Sequence, residues 1–593
     1  MQILNWVPTL LLIFSFFGLF SSESVAQVAP VCSESDRAAL LGFKAKIVKD
    51  TTDSLSTWIG KECCDGGWEG VQCNEAGRVT VLQLQRPDKD STLYMKGTLS
   101  SSLSNLPFLE VLIVSGMKQI TGPIPQGFSN LTHLTQLSLE DNFLTGSIPP
   151  GLGHLLLLQG LSVSGNRLTG EIPSSLGNIK NLVQINLARN YLRGPIPPTF
   201  QNIHGLQYLD LSYNQLSGLI PDFVGHLQNI TFIDLSYNQL SGQVPISLFS
   251  LAKLQDLSLS HNQLTGKIPV QIEGLKSLTS LSLSSNRFSG NIPASFSRLQ
   301  NLWYLNLSRN GLSDPLPDTL ARGIPSLLSI DLSYNNLSLG TVPDWIRSRQ
   351  LSDVHLAGCQ LQGILPSFTR PDSLGSIDLS DNHFSGGITK FFTNMSSLQK
   401  LKLSNNRLKF DLSEIKLPDG LSVIDFSSNQ IVGSISSIIN NRTSSFLDVL
   451  DVSRNQISGK FPAFREGLRL RALNVASNKI SGQLPSSLSN LINLEKFDIS
   501  RNLITGTIPT SLGLLVKLQW LDLSINALSG KIPNSLLGIE ALKHASFRAN
   551  RLCGEIPQGR PFNIFPAAAY AHNLCLCGKP LAPCRGKKSE LSQ

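Results

Sequence analysis

The side chains that could carry out chemistry in this chain do not have the spacing of a catalytic site. The nine histidines follow no pattern, and many serines recur at one position of a repeated segment. Catalysis needs a nucleophile with a base, or paired carboxylates, in a cleft that excludes water. Since the sequence offers neither arrangement, we expect a binding protein rather than an enzyme, with no cofactor and no metal.

The nine cysteines form two clusters and one isolated residue, Cys359. Small terminal segments with little core are often stabilised by disulfides in an oxidising compartment, and four cysteines allow three pairings within each cluster. Zinc binding is the alternative interpretation of either cluster. The clustered residues are Cys32, Cys63, Cys64 and Cys73 near the N-terminus, and Cys553, Cys575, Cys577 and Cys584 near the C-terminus.

A repeated segment must position everything between the two clusters. Its clearest copy runs from Leu254 to Pro269, and its asparagine recurs every 24 residues from Asn142 to Asn310. After small slips the spacing resumes at Asn335, Asn382, Asn406, Asn429, Asn455, Asn478, Asn502, Asn526 and Asn550. This period, with its leucines and asparagine, is the leucine-rich-repeat signature. It predicts an α/β solenoid, a right-handed curved superhelix of roughly twenty coils with a parallel concave sheet and disulfide-bonded end caps.

Each coil has a simple physical logic. Leu257 and Leu259 alternate with polar residues, which predicts a short strand with its leucines turned inward. Asn262 follows where the backbone turns, so its amide can satisfy buried backbone groups in a ladder through the solenoid. Gly266 permits an unusual turn conformation, and Pro269 fixes an extended segment that leads to the convex side.

The chain is predicted to be secreted. An apolar run from Leu10 to Phe20 followed by Ser24-Val25-Ala26 indicates a signal peptide over residues 1–26, with a signal anchor as the alternative. We predict an N-terminal cap over 27–77, the solenoid over 78–552, and a C-terminal cap with a short basic tail over 553–593. No later run is long and apolar enough to span a bilayer, so signalling would need a partner.

Glycosylation and charge agree with an extracellular location, the apoplast or cell wall. The net charge of +8 permits weak contact with wall polysaccharide, although a solvated surface also explains it. The basic stretch Arg585–Lys588 is too short to indicate nucleic-acid binding. Six N-glycosylation sequons are present, at Asn130, Asn229, Asn306, Asn336, Asn394 and Asn441.

The string Leu-x-Gly-x-Ile-Pro, in many near-identical copies, resembles the plant extracellular class of leucine-rich repeats. The segment around Cys63-Cys64 and Trp68-Glu-Gly-Val-Gln-Cys73 resembles the cap of plant receptor-like proteins. The end from Leu552-Cys-Gly-Glu-Ile-Pro to Cys575-Leu-Cys-Gly-Lys-Pro-Leu581 is similar to that of polygalacturonase-inhibiting proteins, which have about half as many coils. The resemblance implies sequential disulfides: Cys32 with Cys63, Cys64 with Cys73, Cys553 with Cys575, and Cys577 with Cys584.

The candidate binding residues lie between and beside the strand leucines and are expected to face solvent on the concave sheet. Aromatic side chains with arginine and carboxylates are typical of protein-binding surfaces. Tyrosine and aspartate also recur in the repeat itself, so Phe232, Trp303 and Tyr304 are the most informative members. The full set is Tyr208, Asp210, Tyr213, Phe232, Asp234, Tyr237, Asp256, His261, Trp303, Tyr304, Arg309 and Tyr334. An irregular stretch at about 386–460 is a second candidate.

These features predict a recognition module that binds an extracellular protein or peptide in defence or signalling, with a membrane receptor kinase as a possible partner. Inhibition of a microbial polygalacturonase-type hydrolase is the alternative, and a structural cell-wall protein is a third. Cys359 stands where other coils have the ladder asparagine, which predicts a buried thiol in place of one rung; a reactive thiol is the other interpretation.

Overall fold

The computed structural model describes residues 31–86, 92–439 and 445–584. The signal-peptide prediction, the sequon at Asn441 and the basic stretch Arg585–Lys588 lie outside the described residues. Within the described chain, no helix has the length and apolarity needed to cross a bilayer.

One open parallel sheet runs along the solenoid. Its coil-to-coil register is regular, for example Tyr208 opposite Phe232, and Phe232 opposite Asp256. A short strand, Val71–Cys73, adds antiparallel to its first member. The twenty parallel strands are Val79–Gln85, Val111–Ser115, Gln136–Ser138, Gly160–Ser162, Gln184–Asn186, Tyr208–Asp210, Phe232–Asp234, Asp256–Ser258, Ser280–Ser282, Tyr304–Asn306, Ser329–Asp331, Asp353–His355, Ser376–Asp378, Lys400–Lys402, Val423–Asp425, Val449–Asp451, Ala472–Asn474, Lys496–Asp498, Trp520–Asp522 and His544–Ser546.

The glycine-containing turn of each coil forms a second strand, and these strands pair into four shorter sheets. Gly266 has φ +86°, a left-handed conformation that suits glycine. The strands are Ile47–Asp50, Met95–Thr98, Lys118–Gly122 and Phe143–Leu144; Thr169–Glu171, Tyr191–Gly194, Gln215–Leu219, Gln239–Gln243, Gln263–Gly266, Arg287–Asn291 and Gly311–Ser313; Gln362–Gly363, His383–Gly386 and Arg407–Leu408; Ser458–Lys460, Lys479–Gln483, Leu503–Thr507, Ala527–Gly530, Arg551–Glu555 and Cys575–Cys577.

Helical turns complete the coils on the side away from the main sheet. The α-helices are Glu34–Lys44, Asp344–Ser348 and Ser436–Ile439. The 3-10 turns include Ser54–Thr57, Ser101–Asn105, Gln126–Asn130, Pro150–His154, Ser174–Asn178, Pro198–Asn202, Asp222–His226, Ile246–Ser250, Val270–Gly274, Ala294–Arg298, Asp318–Ala321, Pro371–Ser373, Leu412–Glu414, Ser486–Asn490, Thr510–Leu514, Asn534–Gly538 and Ala567–Ala569. Two α-helices occur where the second sheet is interrupted, and the later of these lies in the stretch predicted to be irregular.

The ladder of asparagines has the predicted role. The Asn262 amide nitrogen donates to the carbonyls of Leu235, Leu259 and Ser260 at 3.0–3.2 Å, and its oxygen accepts from the Leu240 N–H at 3.0 Å. The Leu235 carbonyl and the Leu240 N–H belong to the preceding coil, and the other two carbonyls belong to the coil of Asn262 itself. Each rung therefore satisfies backbone groups that would otherwise be buried without partners, and it fixes the spacing between coils.

The N-terminal cap covers the first coil with aromatic packing and a buried ion pair. Trp58 and Trp68 stack with ring centroids 5.4 Å apart, and both are almost fully buried. The fully buried Asp36 carboxylate accepts hydrogen bonds from Arg78 and from the Val79 N–H at 2.8–3.0 Å. A buried carboxylate needs such partners, so this pair joins the cap helix to the first strand.

The C-terminal cap continues the coil pattern with its own residues. Tyr570 stacks on Phe547 with a centroid distance of 5.7 Å and donates its hydroxyl to the Phe562 carbonyl at 2.8 Å. Asn573 supplies one more rung, since its oxygen accepts from the Leu552 N–H at 3.1 Å. The cap thereby covers the end of the core that an open solenoid would expose.

All four implied disulfides are present. Cys32 pairs with Cys63, Cys64 with Cys73, Cys553 with Cys575, and Cys577 with Cys584. The Cys32, Cys63 and Cys64 sulfurs lie close together, but each belongs to a disulfide. Each cap is thus cross-linked by two disulfides.

Cys359 is fully buried and replaces one rung of the ladder, as predicted. Its sulfur lies 3.5 Å from the Leu332 carbonyl oxygen and 3.6 Å from that of Ala357. Asn382 of the next coil reaches back to both the Cys359 and Leu361 N–H groups, at 3.1 and 2.9 Å. Burial raises the pKa of the thiol to about 12, so the structural interpretation holds and the thiol is inert at neutral pH.

Candidate ligand-binding surface

Each strand of the main sheet turns its first and third residues away from the core. The first position reads Tyr208, Phe232, Asp256 along successive coils, and the third begins with Asp210 and Asp234. Because neighbouring strands are about 4.8 Å apart, residues at one position stack along the solenoid. The "aromatic surface" denotes the twelve predicted binding residues. Eleven of them lie between Tyr208 and Arg309, and the twelfth is Tyr334 in the next coil.

The first half of the aromatic surface contains two parallel ring stacks. Tyr208 and Phe232 are stacked with centroids 4.4 Å apart and an interplanar angle of 5°. The Tyr237 ring lies between those of Tyr213 and His261, with centroid distances of 4.1 and 4.0 Å. Since ring faces cover each other within a stack, the edges and the polar tips are what these residues present to solvent.

Tyr213, Tyr237 and His261 do not lie on the strands, contrary to the sequence expectation. Each follows its strand by three residues and directly precedes the ladder asparagine, with φ of 53–54°. The Tyr213 N–H donates to the Ser236 carbonyl of the next coil at 2.9 Å, which holds this left-handed conformation in place. Arg309 and Tyr334 have the same geometry. This "edge position" recurs in every regular coil and presents its side chain at one margin of the sheet.

A second aromatic group lies beyond a coil of small residues. Ser280, Ser282 and Ser285 occupy the first, third and edge positions of that coil. Trp303 is 44% exposed, and its ring lies 5.8 Å from that of Tyr304. The predicted residues are therefore two clusters separated by a serine-lined coil rather than one continuous patch.

Arg309 and Tyr334 form the margin of the second cluster. The Arg309 guanidinium lies 4.4 Å from the Tyr334 ring centroid, a cation–π arrangement. The Tyr334 hydroxyl donates to Asp381, two coils further on, at 2.6 Å. Gly358 makes this reach possible, because an added Cβ there would come within 2.9 Å of the tyrosine ring. Burial, together with the Asp381 hydrogen bond, raises the pKa of Tyr334.

The third-position aspartates have a structural role that the sequence analysis weighed only as an alternative. Asp210 accepts from the Ser212 N–H and hydroxyl at 3.0 and 2.7 Å, and Asp234 accepts from the Ser236 N–H at 2.8 Å. Each aspartate thus caps the turn that leaves its strand. The same Asp-x-Ser contact recurs at Asp331, Asp378, Asp425, Asp451, Asp498 and Asp522.

Asp210 and Asp234 are also electrostatically coupled, since they stand opposite each other on adjacent strands. Burial and then the neighbouring Asp234 charge raise the pKa of Asp210 to about 6. Burial raises the pKa of Asp234 and that of Asp256. Burial lowers the pKa of His261, and the Arg309 charge lowers it further. Asp210 is therefore the residue of this half of the aromatic surface whose carboxyl group loses its proton in the mildly acidic range.

One predicted glycosylation site lies inside the aromatic surface. Asn306 is half-buried at a third position, where its oxygen accepts from the Ser308 N–H and hydroxyl at 3.0 and 2.7 Å. It therefore does what aspartate does in the neighbouring coils. By contrast, the sequons at Asn130, Asn229, Asn336 and Asn394 have exposed asparagines outside the strands of the main sheet.

The sequence analysis missed an aromatic pair near the C-terminus. Trp520 and His544 occupy the first position of adjacent strands and stack at 3.7 Å, and the Lys496 ammonium lies 5.8 Å from the Trp520 ring. The signal was available in the sequence, because Trp520 has the same place in its coil as Phe232. A depression beside the edge position of the coils around Ser477 was also missed.

Comparisons with known proteins identify the repeats. A model described as "Leucine-rich repeat region" matches residues 198–409, and "Leucine rich repeat" matches 157–216 and 468–528. "Leucine rich repeat N-terminal domain" matches residues 33–74, the segment that holds the first two disulfides.

The curated relatives are plant proteins that match over short segments. The chain is 33% identical over 127 residues to DNA damage-repair/toleration protein DRT100 of Arabidopsis thaliana, covering 20% of this chain and 34% of that protein. It is 34% identical over 110 residues to Polygalacturonase inhibitor 1 of Oryza sativa subsp. japonica, covering 18% of this chain and 30% of the inhibitor. The chain thus spans about a third of the length of each of these relatives.

Solved structures match over nearly the whole chain. The crystal structure of PEPR1-AtPEP1 aligns over 93% of this chain and 86% of that one, with 26% identity and a TM-score of 0.56. The Arabidopsis receptor kinase HAESA, solved with the peptide hormone IDA and the co-receptor SERK1, aligns over 93% and 100%, with 28% identity and a TM-score of 0.50.

Proposed function

Because this chain is a leucine-rich-repeat protein with capped ends, we propose that it is a recognition module that binds an extracellular peptide or protein on its concave sheet. The aromatic surface is the proposed contact region. The binding itself is non-catalytic, and the chain is proposed to act in the apoplast or cell wall. A membrane receptor kinase is the proposed partner for passing the binding event into a cell.

The observation that carries this proposal is the group of exposed rings on a rigid sheet. Tyr213 is 50% exposed and Trp303 44%, although both side chains are large and apolar over most of their area. Aromatic side chains held by stacking lose little conformational entropy on binding, which is why they dominate protein interfaces. The receptor kinase HAESA, solved with the peptide hormone IDA, aligns with this chain over its full length, which supports this class of ligand.

The test compares Trp303→Ala with the wild-type protein against a displayed library of secreted plant peptides and proteins. We expect selected binders to lose about thirtyfold in affinity, since truncation of an interface tryptophan that is a hot spot costs about 2 kcal/mol or more. Trp303 is preferable to Phe232 as the test residue. Phe232 stacks closely on Tyr208, so its removal would also cost about 1 kcal/mol of stability.

Tyr191→Ala is the matched control. Tyr191 is also an aromatic residue, 51% exposed, but it lies in the second strand Tyr191–Gly194, away from the main sheet. Binding should be unchanged in this variant. Binders that keep full affinity for Trp303→Ala would show that recognition occurs elsewhere.

The sequon at Asn306 offers a second test of the same surface. Asn306→Asp removes the glycosylation acceptor but keeps the oxygen that caps the Ser308 turn, as aspartate does in sister coils. If glycan is attached there, binding to the aromatic surface should strengthen in this variant. A glycosylated wild-type protein that binds as tightly as Asn306→Asp would argue against the aromatic surface as the contact region.

A second proposed function is inhibition of a microbial polygalacturonase. It is supported by the similarity to polygalacturonase inhibitors and by the resemblance of the C-terminal cap. The test adds purified protein to a panel of fungal pectin-degrading enzymes and measures residual activity with binding in parallel. Stoichiometric loss of activity would support inhibition. If the protein neither inhibits nor binds any enzyme of the panel, inhibition is excluded for those enzymes.

A further inference from the structure

A depression of about 400 Å³ lies beside the edge positions in the C-terminal half of the sheet. Its lining comes from five successive coils, between Asn405 and Arg501. In the fourth of these coils, Ala476 replaces the serine that neighbouring coils have at this position, and the edge residue is the small Ser477. Two of the five edge residues that line the depression, Ser428 and Ser477, have small side chains.

Arg454 and Arg501 flank this depression from the coils on either side of Ser477. Both are edge residues with φ of 54–55°, and both side chains are exposed. Strands two coils apart are separated by about 10 Å, so two arginine side chains can converge on one group between them. Both arginines line the same depression.

The two guanidinium groups are unusual among the edge arginines. Arg189 pairs with Asp141 at 3.1 Å, and Arg309 lies over the Tyr334 ring. Within residues 31–86, 92–439 and 445–584, no hydrogen bond, ion pair or ring contact involves the guanidinium of Arg454 or Arg501. Their full capacity for hydrogen bonding is therefore open to a ligand.

The floor of the depression restricts the charge of that ligand. Asn474 stands there at a third position, between Asp451 on one neighbouring strand and Asp498 on the other. Because Asn474 is uncharged, one anionic group of a ligand can be accommodated above it. The flanking aspartates would repel a chain with an anion at every unit, such as a polyuronate. A ligand with one acidic group between uncharged or basic groups fits both features.

We propose that the Arg454–Arg501 depression is a second binding site, which takes the carboxylate of a single acidic residue in a peptide segment. The arginines hold the carboxylate by paired charge-assisted hydrogen bonds, and the Ser477 hydroxyl contacts the adjoining backbone. This site does not depend on the aromatic surface.

The test selects a random heptapeptide phage library on the purified, immobilised protein. Selected peptides are then synthesised, and their affinities are measured by fluorescence polarisation. We expect a peptide class with one Asp or Glu and no further acids. Arg454→Ala combined with Arg501→Ala should weaken its binding about tenfold or more, and exchanging the peptide's acid for its amide should do the same.

Two variants separate charge from shape. Ser477→Tyr keeps both arginines but fills the depression, and tyrosine is tolerated at this backbone geometry because Tyr213 and Tyr237 adopt it. It should also weaken binding about tenfold. The control is Arg287→Ala combined with Arg407→Ala, which removes the same charge from exposed residues in second-sheet strands and should change nothing.

The outcomes are distinct. Loss of affinity in Arg454→Ala/Arg501→Ala and in Ser477→Tyr, with Trp303→Ala unaffected, supports the second site whatever happens at the aromatic surface. The proposal is overturned if no peptide class is selected, or if the class binds the arginine variant normally. It is also overturned if pentaglutamate binds as tightly as the selected peptide, because the surface would then be a general polyanion site.

Discussion

The aromatic surface and the Arg454–Arg501 depression are built on identical backbone. Tyr237 and Ser477 occupy the same edge position with φ of 54–55°, and each precedes an asparagine that bonds three carbonyls. One region carries stacked rings and the other unpartnered arginines beside small residues. The repeat therefore separates scaffold from surface: the buried positions fix the coil, and the exposed positions vary without altering it.

The strongest test of this shared scaffold removes a ladder asparagine from each region. Asn238→Ala and Asn478→Ala should each lower the free energy of unfolding by about 3 kcal/mol, since several buried backbone groups lose their partner. Urea denaturation of both variants measures this. A loss confined to one region would show that the two halves of the solenoid are not equivalent scaffolds.

Ser285→Ala is the control for the ladder variants. Ser285 directly precedes Asn286 but is an edge residue, so removal of its hydroxyl should change stability by less than about 0.5 kcal/mol. The contrast with Asn238→Ala and Asn478→Ala would distinguish the loss of a buried rung from the loss of a side chain at the edge position.

Much of the scaffold was predictable, because the buried positions repeat. The spacing from Asn142 to Asn310 indicated the solenoid and the ladder, and the cysteine clusters with the family resemblance indicated all four disulfides. Even the irregular rung at Cys359 followed from its place in the repeat. A pattern repeated many times leaves little freedom in what each buried position must do.

The surfaces were less predictable, because they depend on which coils lie next to each other and on how far a side chain reaches. The left-handed backbone at Tyr213 is invisible in a leucine pattern, so the sequence placed this residue on the strand. The separation of Phe232 from Trp303 depends on the coil of serines between them. The depression at Ser477 is lined in part by small side chains, which carry no sequence signal when considered singly.

The two regions should also differ in the pH dependence of their aspartates. The pKa of Asp210 is raised to about 6, so the folded protein binds its proton more tightly than the unfolded chain does. Stability should therefore fall as pH rises from about 4 to above 6. Asp210→Asn should flatten that dependence by about 1–2 kcal/mol, less than the full shift implies because the carboxylate is partly solvated.

Asp498→Asn gives the matched comparison in the second region. Burial also raises the pKa of Asp498, and the Ser500 hydrogen bonds oppose this rise. Asp522 on the adjacent strand adds to the rise, whereas the Lys496 charge lowers it. The effect of Asp498→Asn on the pH dependence should have the same sign and be smaller. Equal flattening in thermal unfolding between pH 4 and 7 would contradict a smaller pKa shift at Asp498 than at Asp210.

Cys359 lies between the two regions and tests whether the ladder must be continuous. Cys359→Asn restores an amide that can donate to the Leu332 and Ala357 carbonyls and accept from the Leu337 N–H, as the regular rungs do. We expect a gain of about 1 kcal/mol in urea denaturation. In the native wild-type protein, a thiol with its pKa raised to about 12 and no exposure should resist iodoacetamide; rapid native alkylation would contradict its burial.

The smallest expected effect concerns contacts that skip a coil at the sheet margin. Tyr334 reaches Asp381 across Gly358, just as Asp141 reaches Arg189 across Gly165. Tyr334→Phe removes only the hydroxyl, and because the pair is exposed the loss should be about 0.5 kcal/mol. Gly358→Ala should cost more, since its Cβ would meet the tyrosine ring at a φ of +63°. A double-mutant cycle of Tyr334→Phe and Gly358→Ala in urea denaturation measures the coupling between the two residues. Additive losses in the free energy of unfolding would show that Gly358 is needed only for its own turn and does not affect the Tyr334–Asp381 contact.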